Sequence, residues 1–141
     1  MSVPIRNGRY SFPVRVYYED TDAGGVVYHA NYVKFMERAR SEWLRHLGFE
    51  QDRLRCEERT VFAVRRMSLD FIKPARFNDL LAVDVALVKA GYASLQLAQT
   101  ISNAAGLALC TAEVRIACLD PQSLRPRCIP SSILKELHDG D

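Results

Sequence analysis

The residues best suited to chemistry are gathered in one stretch, Asp20-Thr21-Asp22-Ala23-Gly24-Gly25-Val26-Val27-Tyr28-His29-Ala30-Asn31-Tyr32. Two carboxylates stand two residues apart, and a glycine pair follows. A histidine and an asparagine then come just before a run with helical periodicity. This pattern predicts an acidic loop feeding the N-terminus of a helix. Such a terminus presents backbone N–H groups without partners and a partial positive charge. A carboxylate beside those donors suits chemistry on a carbonyl. The acid attacks or activates water, and the donors hold the charge that develops on oxygen.

Asp22 is the candidate nucleophile or general base, and its competing reading is an Asx turn or a capping residue. Asp20 reads as a loop-shaping carboxylate. His29 reads either as a group that bonds the carbonyl oxygen, orients water or protonates a leaving group, or as a packed residue near a helix start. Gly24 and Gly25 allow φ > 0 and a close approach of ligand to backbone. With Val26, Val27, Tyr28 and Asn31 they form the candidate substrate-binding stretch. Asn31 is the expected N-cap.

The elements that position this loop follow from periodicity. Tyr10, Phe12, Val14, Val16 and Tyr18 alternate as in a half-buried strand, and Pro13 makes it an edge strand. Residues 1–9 read as a lead-in. Apolar positions 32, 35, 36, 39, 43, 44 and 47 define a long amphipathic helix closed by Gly48. Glu50 to Arg59 has room for a helical turn or two. The period then changes to 2. Val61–Phe71, with Met67, Leu69 and Phe71 on one face, is a strand, and Leu81–Leu87, Ala93–Ser102 and Leu107–Leu119 are three more. A short helix, Ser131–Leu137 with Ser131 as N-cap, closes the chain. Short loops favour antiparallel neighbours. The expected fold is α+β, a five-stranded antiparallel sheet wrapped around one long helix. Phe62, Val64 and Leu95 are expected on the sheet face away from that helix. Those residues and the strand edges call for a homo-oligomer.

The 141 residues suit one domain, 1–141, with a real core. A net charge of +2 gives no strong pull toward nucleic acid. Cys56, Cys110, Cys118 and Cys128 form no CxxC pair and read as reduced thiols, which suits the cytoplasm. Met1 to Tyr10 has no apolar h-region, so no signal peptide is expected, and no apolar run approaches 18 residues. A GxSxG elbow is also missing, which argues against a serine triad. Glu37 and Arg40 read as a structural ion pair, within or between subunits, or Glu37 as a wall of an acyl pocket. His46 and His138 read as solvated or capping.

Residues 17–32, Tyr-Tyr-Glu-Asp-Thr-Asp-Ala-Gly-Gly-Val-Val-Tyr-His-Ala-Asn-Tyr, resemble the signature of the 4-hydroxybenzoyl-CoA thioesterase family. Glu37-Arg38-Ala39-Arg40, Phe71-Ile72-Lys73-Pro74-Ala75-Arg76 and Cys118-Leu119-Asp120-Pro121 bring the likeness close to the YbgC-like branch, encoded with the Tol-Pal envelope system. The resemblance implies a hotdog fold and acyl-CoA thioesterase activity without metal or redox cofactor. It makes Asp22 the catalytic carboxylate and the backbone N–H of His29 the oxyanion donor. It also implies an acyl-CoA substrate, with acyl carrier protein and phospholipid-synthesis enzymes as further partners. The expected assembly is a dimer unit or a homotetramer, in the cytoplasm or at the inner face of its membrane. Some of Lys73, Arg76, Lys89, Arg125 and Arg127 are expected to meet CoA phosphates. The alternatives are a hotdog dehydratase, which the Asp-x-Asp loop disfavours, and a non-catalytic acyl-thioester or acyl-carrier-protein scaffold or sensor.

Overall fold

The structure, a computed structural model, describes residues 8–138, apart from the side chain of His138. The expected lead-in therefore lies outside the described residues except for Gly8 and Arg9, as does the reading of the His138 side chain. Five antiparallel strands form one sheet: β1 (Arg9–Arg15), β2 (Val61–Phe71), β3 (Leu80–Ala90), β4 (Ser94–Ser102) and β5 (Ala108–Leu119), in the order β1-β3-β4-β5-β2. The helices are α1 (His29–His46), α2 (Gln51–Glu57) and α3 (Ser131–His138). This is the expected α+β architecture. Pro13 sits opposite Ala82 on the edge strand β1, where its missing N–H is tolerated.

Every position of the predicted helical stripe is buried: Tyr32, Phe35, Met36, Ala39, Trp43, Leu44 and Leu47. All but Leu44 join one core cluster with the inner rows of the sheet, Leu81, Val83 and Val85 from β3, Leu95, Leu97 and Ile101 from β4, and Cys110, Val114 and Ile116 from β5. Each such aliphatic side chain contributes roughly 1.5–3 kcal/mol by leaving water. The helix ends as its sequence predicts. Gly48 takes φ +98°, its N–H bonds to the Arg45 carbonyl, and the Phe49 N–H reaches back to Leu44. That pair of bonds is a Schellman motif.

Four expectations need correction. The first strand stops at Arg15, and Tyr18 is 80% exposed in a 3₁₀ turn over Tyr18–Asp20. The Asp20 carboxylate accepts a bond from the Tyr17 N–H and bends the chain before alternation can continue. Asn31 is not the N-cap, because the helix begins at His29 with Tyr28 in the capping position. Ser131 is not a cap either, since the Pro130 carbonyl accepts the first bonds, from Ile133 and Leu134. Finally, Phe62, Val64 and Leu95 face α1, opposite Cys118, Ile116 and again Ile116. The register of β2 shifts between Val64 and Arg66. This bulge adds one residue and moves Phe62 and Val64 to the same face as Met67.

The outer face is consequently polar and built from small residues. One register row across it carries Asp84, Thr100, Thr111 and Asp70, and another carries Lys89, Gln96, Arg115 and Arg66. All four cysteines are free, Cys56 and Cys128 exposed, Cys110 and Cys118 buried. Burial pushes both buried thiols up to about 11, so neither forms a thiolate near neutral pH. Titration of the native protein with an aromatic disulfide reagent near pH 8 is expected to modify two thiols, Cys56 and Cys128. The other two should react only with denaturant.

Candidate active site

The acidic loop is a small hairpin. Thr21 bridges to Val27, and the Asp22 N–H donates to the Val26 carbonyl at 2.9 Å. The Gly25 N–H closes the turn on the Asp22 carbonyl at 3.0 Å. Gly25 adopts φ +80°, a conformation that favours glycine; Gly24 does not need one. Asp22 Oδ1 accepts the Gly24 N–H at 2.8 Å, forming an Asx turn. Its other oxygen, Oδ2, accepts no hydrogen bond among the described residues. Asp20 is structural at both ends. Its carboxylate holds Tyr17, and its carbonyl accepts the Tyr28 N–H at 3.0 Å and Asn31 Nδ2 at 2.9 Å. Asn31 therefore ties the first helical turn to the loop.

The loop is docked through Ala75, which is fully buried. The Ala75 carbonyl accepts the Val27 N–H at 2.9 Å, and the Ala75 N–H donates to the Tyr32 hydroxyl at 2.9 Å. A bridge between Val26 and Arg76 extends the same contact. Burial pushes the Tyr32 phenol up, the Ala75 bond opposes this, and the nearby charge of Asp22 is among the smaller contributions that add to it.

His29 opens the helix, so its backbone N–H has no acceptor within its own helix. Its exposed ring lies 4.5 Å from that of Tyr28 and meets the Phe71 ring edge-on at 6.2 Å. Val27, His29, Tyr32, Phe71 and Lys73 border a hollow of about 270 Å³ open to solvent. The geometry thus brings Val27, His29 and the helix start together with the end of β2. The Asp22 carboxylate is exposed at the loop tip, Tyr28 is half-exposed, and Gly24 and Gly25 lie at the surface. Sequence reading assigned no role to Ala75, Phe71 or the Tyr32 hydroxyl. Tyr32 fitted the core stripe, and its polar end gave no separate signal.

Further along the helix, the expected Glu37–Arg40 ion pair does not form within the chain. Glu37 Oε2 accepts the Ser41 hydroxyl at 2.5 Å, while Arg40 turns inward and donates to Gln99 Oε1 at 2.9 Å. Burial lowers the Arg40 pKa, partly offset by the field of Glu37. His46 is exposed at the helix end and its ring lies 5.2 Å from that of Tyr10.

An antiparallel sheet curled on one helix, with a carboxylate loop docked at that helix's start, defines a thioesterase-type architecture. A family model for the thioesterase-like superfamily matches residues 16–137, and the chain belongs to that family. It is 49% identical over 127 residues to the acyl-CoA thioester hydrolase YbgC of Escherichia coli, covering 90% of this chain and 94% of that protein. It is 42% identical to the acyl-CoA thioesterase YbgC of Haemophilus influenzae, covering 95% and 97%. Among solved structures, a probable thioesterase from Bartonella henselae superposes with a TM-score of 0.82 at 38% identity, over 86% of this chain and 99% of that one.

The two glycines make separable predictions. A Cβ on Gly24 would meet Asp22 Oδ1 at 3.2 Å, whereas one on Gly25 meets nothing within 4 Å. Gly25→Ala should lose about 1 kcal/mol in urea unfolding through its positive φ alone. Gly24→Ala should leave stability within ~0.5 kcal/mol. It should, however, displace the Asp22 carboxylate, visible as a shift of the residue 24 amide resonance.

Proposed function

We propose that the chain hydrolyses acyl-CoA thioesters, with Asp22 as the reacting carboxylate and the His29 backbone N–H as the oxyanion donor. The observation that carries this reading is the loop geometry. One oxygen of Asp22 is held by the Gly24 N–H and the other accepts no bond among the described residues, on a hairpin that leads directly into the first turn of α1. Attack by Oδ2 on the thioester carbon places negative charge on the carbonyl oxygen, where the N–H and helix dipole stabilise it. Collapse expels the CoA thiolate and leaves a mixed anhydride, which water cleaves to the free acid and regenerated Asp22. In the general-base variant Asp22 takes a proton from water, and the resulting hydroxide attacks the same carbon. The His29 imidazole supplies a proton to the departing sulfur. Gly24, Gly25, Val26, Val27, Tyr28 and Asn31 shape the wall against which the thioester lies.

The working unit we propose is a dimer paired through β2. That strand is an 11-residue edge, and its inward row leaves Val64 46% and Phe71 53% exposed. An uncovered apolar edge of this length invites a second copy. A tetramer is supported by the outer face, where an acidic row and a basic row would pair if two such faces packed in opposite directions. The free thiols suit a reducing cytoplasm. Among the described residues no helix is long and apolar enough to cross a membrane. Acyl carrier protein is the second carrier to be tried.

The test is free-thiol release from short, long and aromatic acyl-CoAs, with Asp22→Asn in parallel. The expected result is wild-type turnover and a kcat loss of at least ~100-fold in the variant with little change in KM. Binding of acyl-CoA without turnover would instead favour the scaffold or sensor reading.

A further inference from the structure

We infer that the hollow between α1 and β2 is an acyl subsite whose far end, formed by Arg40 as held by Gln99, takes an acyl group ending in a carboxylate. The inference rests on the thioesterase reading and adds a substrate class to it.

Arg40 is only 8% exposed and Gln99 only 1%. Gln99 occupies an otherwise apolar inner position of β4, between Val85 and Ala112 in register. Its amide is oriented at both ends. The carbonyl oxygen accepts Arg40, and Nε2 donates to the Met36 carbonyl at 3.1 Å. A guanidinium has only donors and a backbone carbonyl only acceptors, so this arrangement has no alternative. The guanidinium is thereby fixed, yet one of its five N–H groups accounts for the Gln99 bond. No carboxylate forms a salt bridge with it among the described residues, because Glu37 is turned to Ser41.

Arg40 borders a hollow of about 140 Å³ walled by Phe62, Val64, Leu97 and Ile116 and lined also by Glu37, whose carboxylate is engaged by the Ser41 hydroxyl. A fixed cation in a largely apolar recess is costly without a direct ion-pair partner, and the field of Glu37 offsets its burial only in part. An alkyl terminus reaching it would strip water from its donors and return nothing. A carboxylate there forms charge-assisted, bidentate bonds.

The recess also lies where the end of a substrate would fall. The inward row of β2 runs from Phe62 and Val64, past half-buried Met67 and Leu69, to Phe71 beside His29. Arg40 lies about 16 Å from His29 along α1, at 1.5 Å per residue. One face therefore carries the reacting groups at one end and the fixed cation at the other. A second copy paired on β2 would roof the space between them.

The experiment measures the affinity of the full chain for non-hydrolysable thioether analogues of CoA. Length-matched pairs end either in methyl or in carboxylate, and turnover of the matching thioesters is followed in parallel. At one chain length the wild type should favour the carboxylate at least about tenfold. Arg40→Met should abolish or invert that preference through Kd and KM. Arg40→Lys should keep part of it, having charge without the planar fork. Gln99→Leu, whose folding is checked by circular dichroism, should weaken it. Equal affinity for the two termini, or an Arg40→Met effect common to both, overturns the inference. So does loss of the oligomer in Arg40→Met with no wild-type carboxylate preference, which assigns the cation to a subunit contact. Failure of turnover with the preference intact would overturn only the hydrolase reading.

Discussion

One buried peptide group, that of Ala75, holds the working end of the molecule together. Its carbonyl takes the N–H of Val27 and its N–H goes to the hydroxyl of Tyr32. The acidic hairpin and the first turn of α1, contiguous in sequence, thereby share one anchor with a distant segment, the connector between β2 and β3. Neither bond has water to fall back on, since Ala75 is fully buried and Tyr32 is 4% exposed. Leaving such a donor unpaired costs about 1–3 kcal/mol, so the three segments are fixed relative to one another. Val16 and Asn78 extend the anchor, with Val16 N–H on the Asp79 carbonyl and Asn78 N–H on that of Val16.

This anchor would let an exposed loop support the proposed chemistry, which needs fixed geometry. The Asp22 carboxylate is at the surface, but the hairpin beneath it is closed by its own bonds and docked on a buried peptide. The N–H groups of the helix start are set by the same docking. Polar groups elsewhere in the core are either inert, as are the two buried thiols, or held in one arrangement, as is the Met36–Gln99–Arg40 chain. The second case stands out, because an inward-facing cation is the least economical way to fill that position unless something meets it.

The sequence was informative where one physical requirement dominated. The helix stripe is read directly, since a long helix must bury one face, and Gly48 marks its end through backbone conformation. Alternation located the strands. It failed at Tyr18, where the Asp20 carboxylate captures the Tyr17 N–H and turns the chain. It failed again at Phe62 and Val64, because a single extra residue in β2 exchanges the faces and leaves no compositional mark. Asn31 looked like a cap because its type suits one. The helix starts three residues earlier, with Tyr28 as its cap, next to the docking on Ala75, a long-range contact. The carboxylate pair and the histidine were legible as a chemical motif, and the resemblance gave the motif its substrate. The clamp was not, since neither an alanine in a connector nor a tyrosine in a core stripe announces a hydrogen bond.

The most direct measurement is steady-state thioester hydrolysis by Tyr32→Phe, set beside its urea unfolding curve. Tyr32 is placed so that its hydroxyl touches Ala75. If that bond fixes the loop and the helix start, kcat should fall at least tenfold with KM nearly unchanged. The loss of stability should be only about 1–3 kcal/mol, leaving the protein folded. Full kcat in a variant that has lost that stability would contradict the account, because the reacting groups would then be positioned without the clamp.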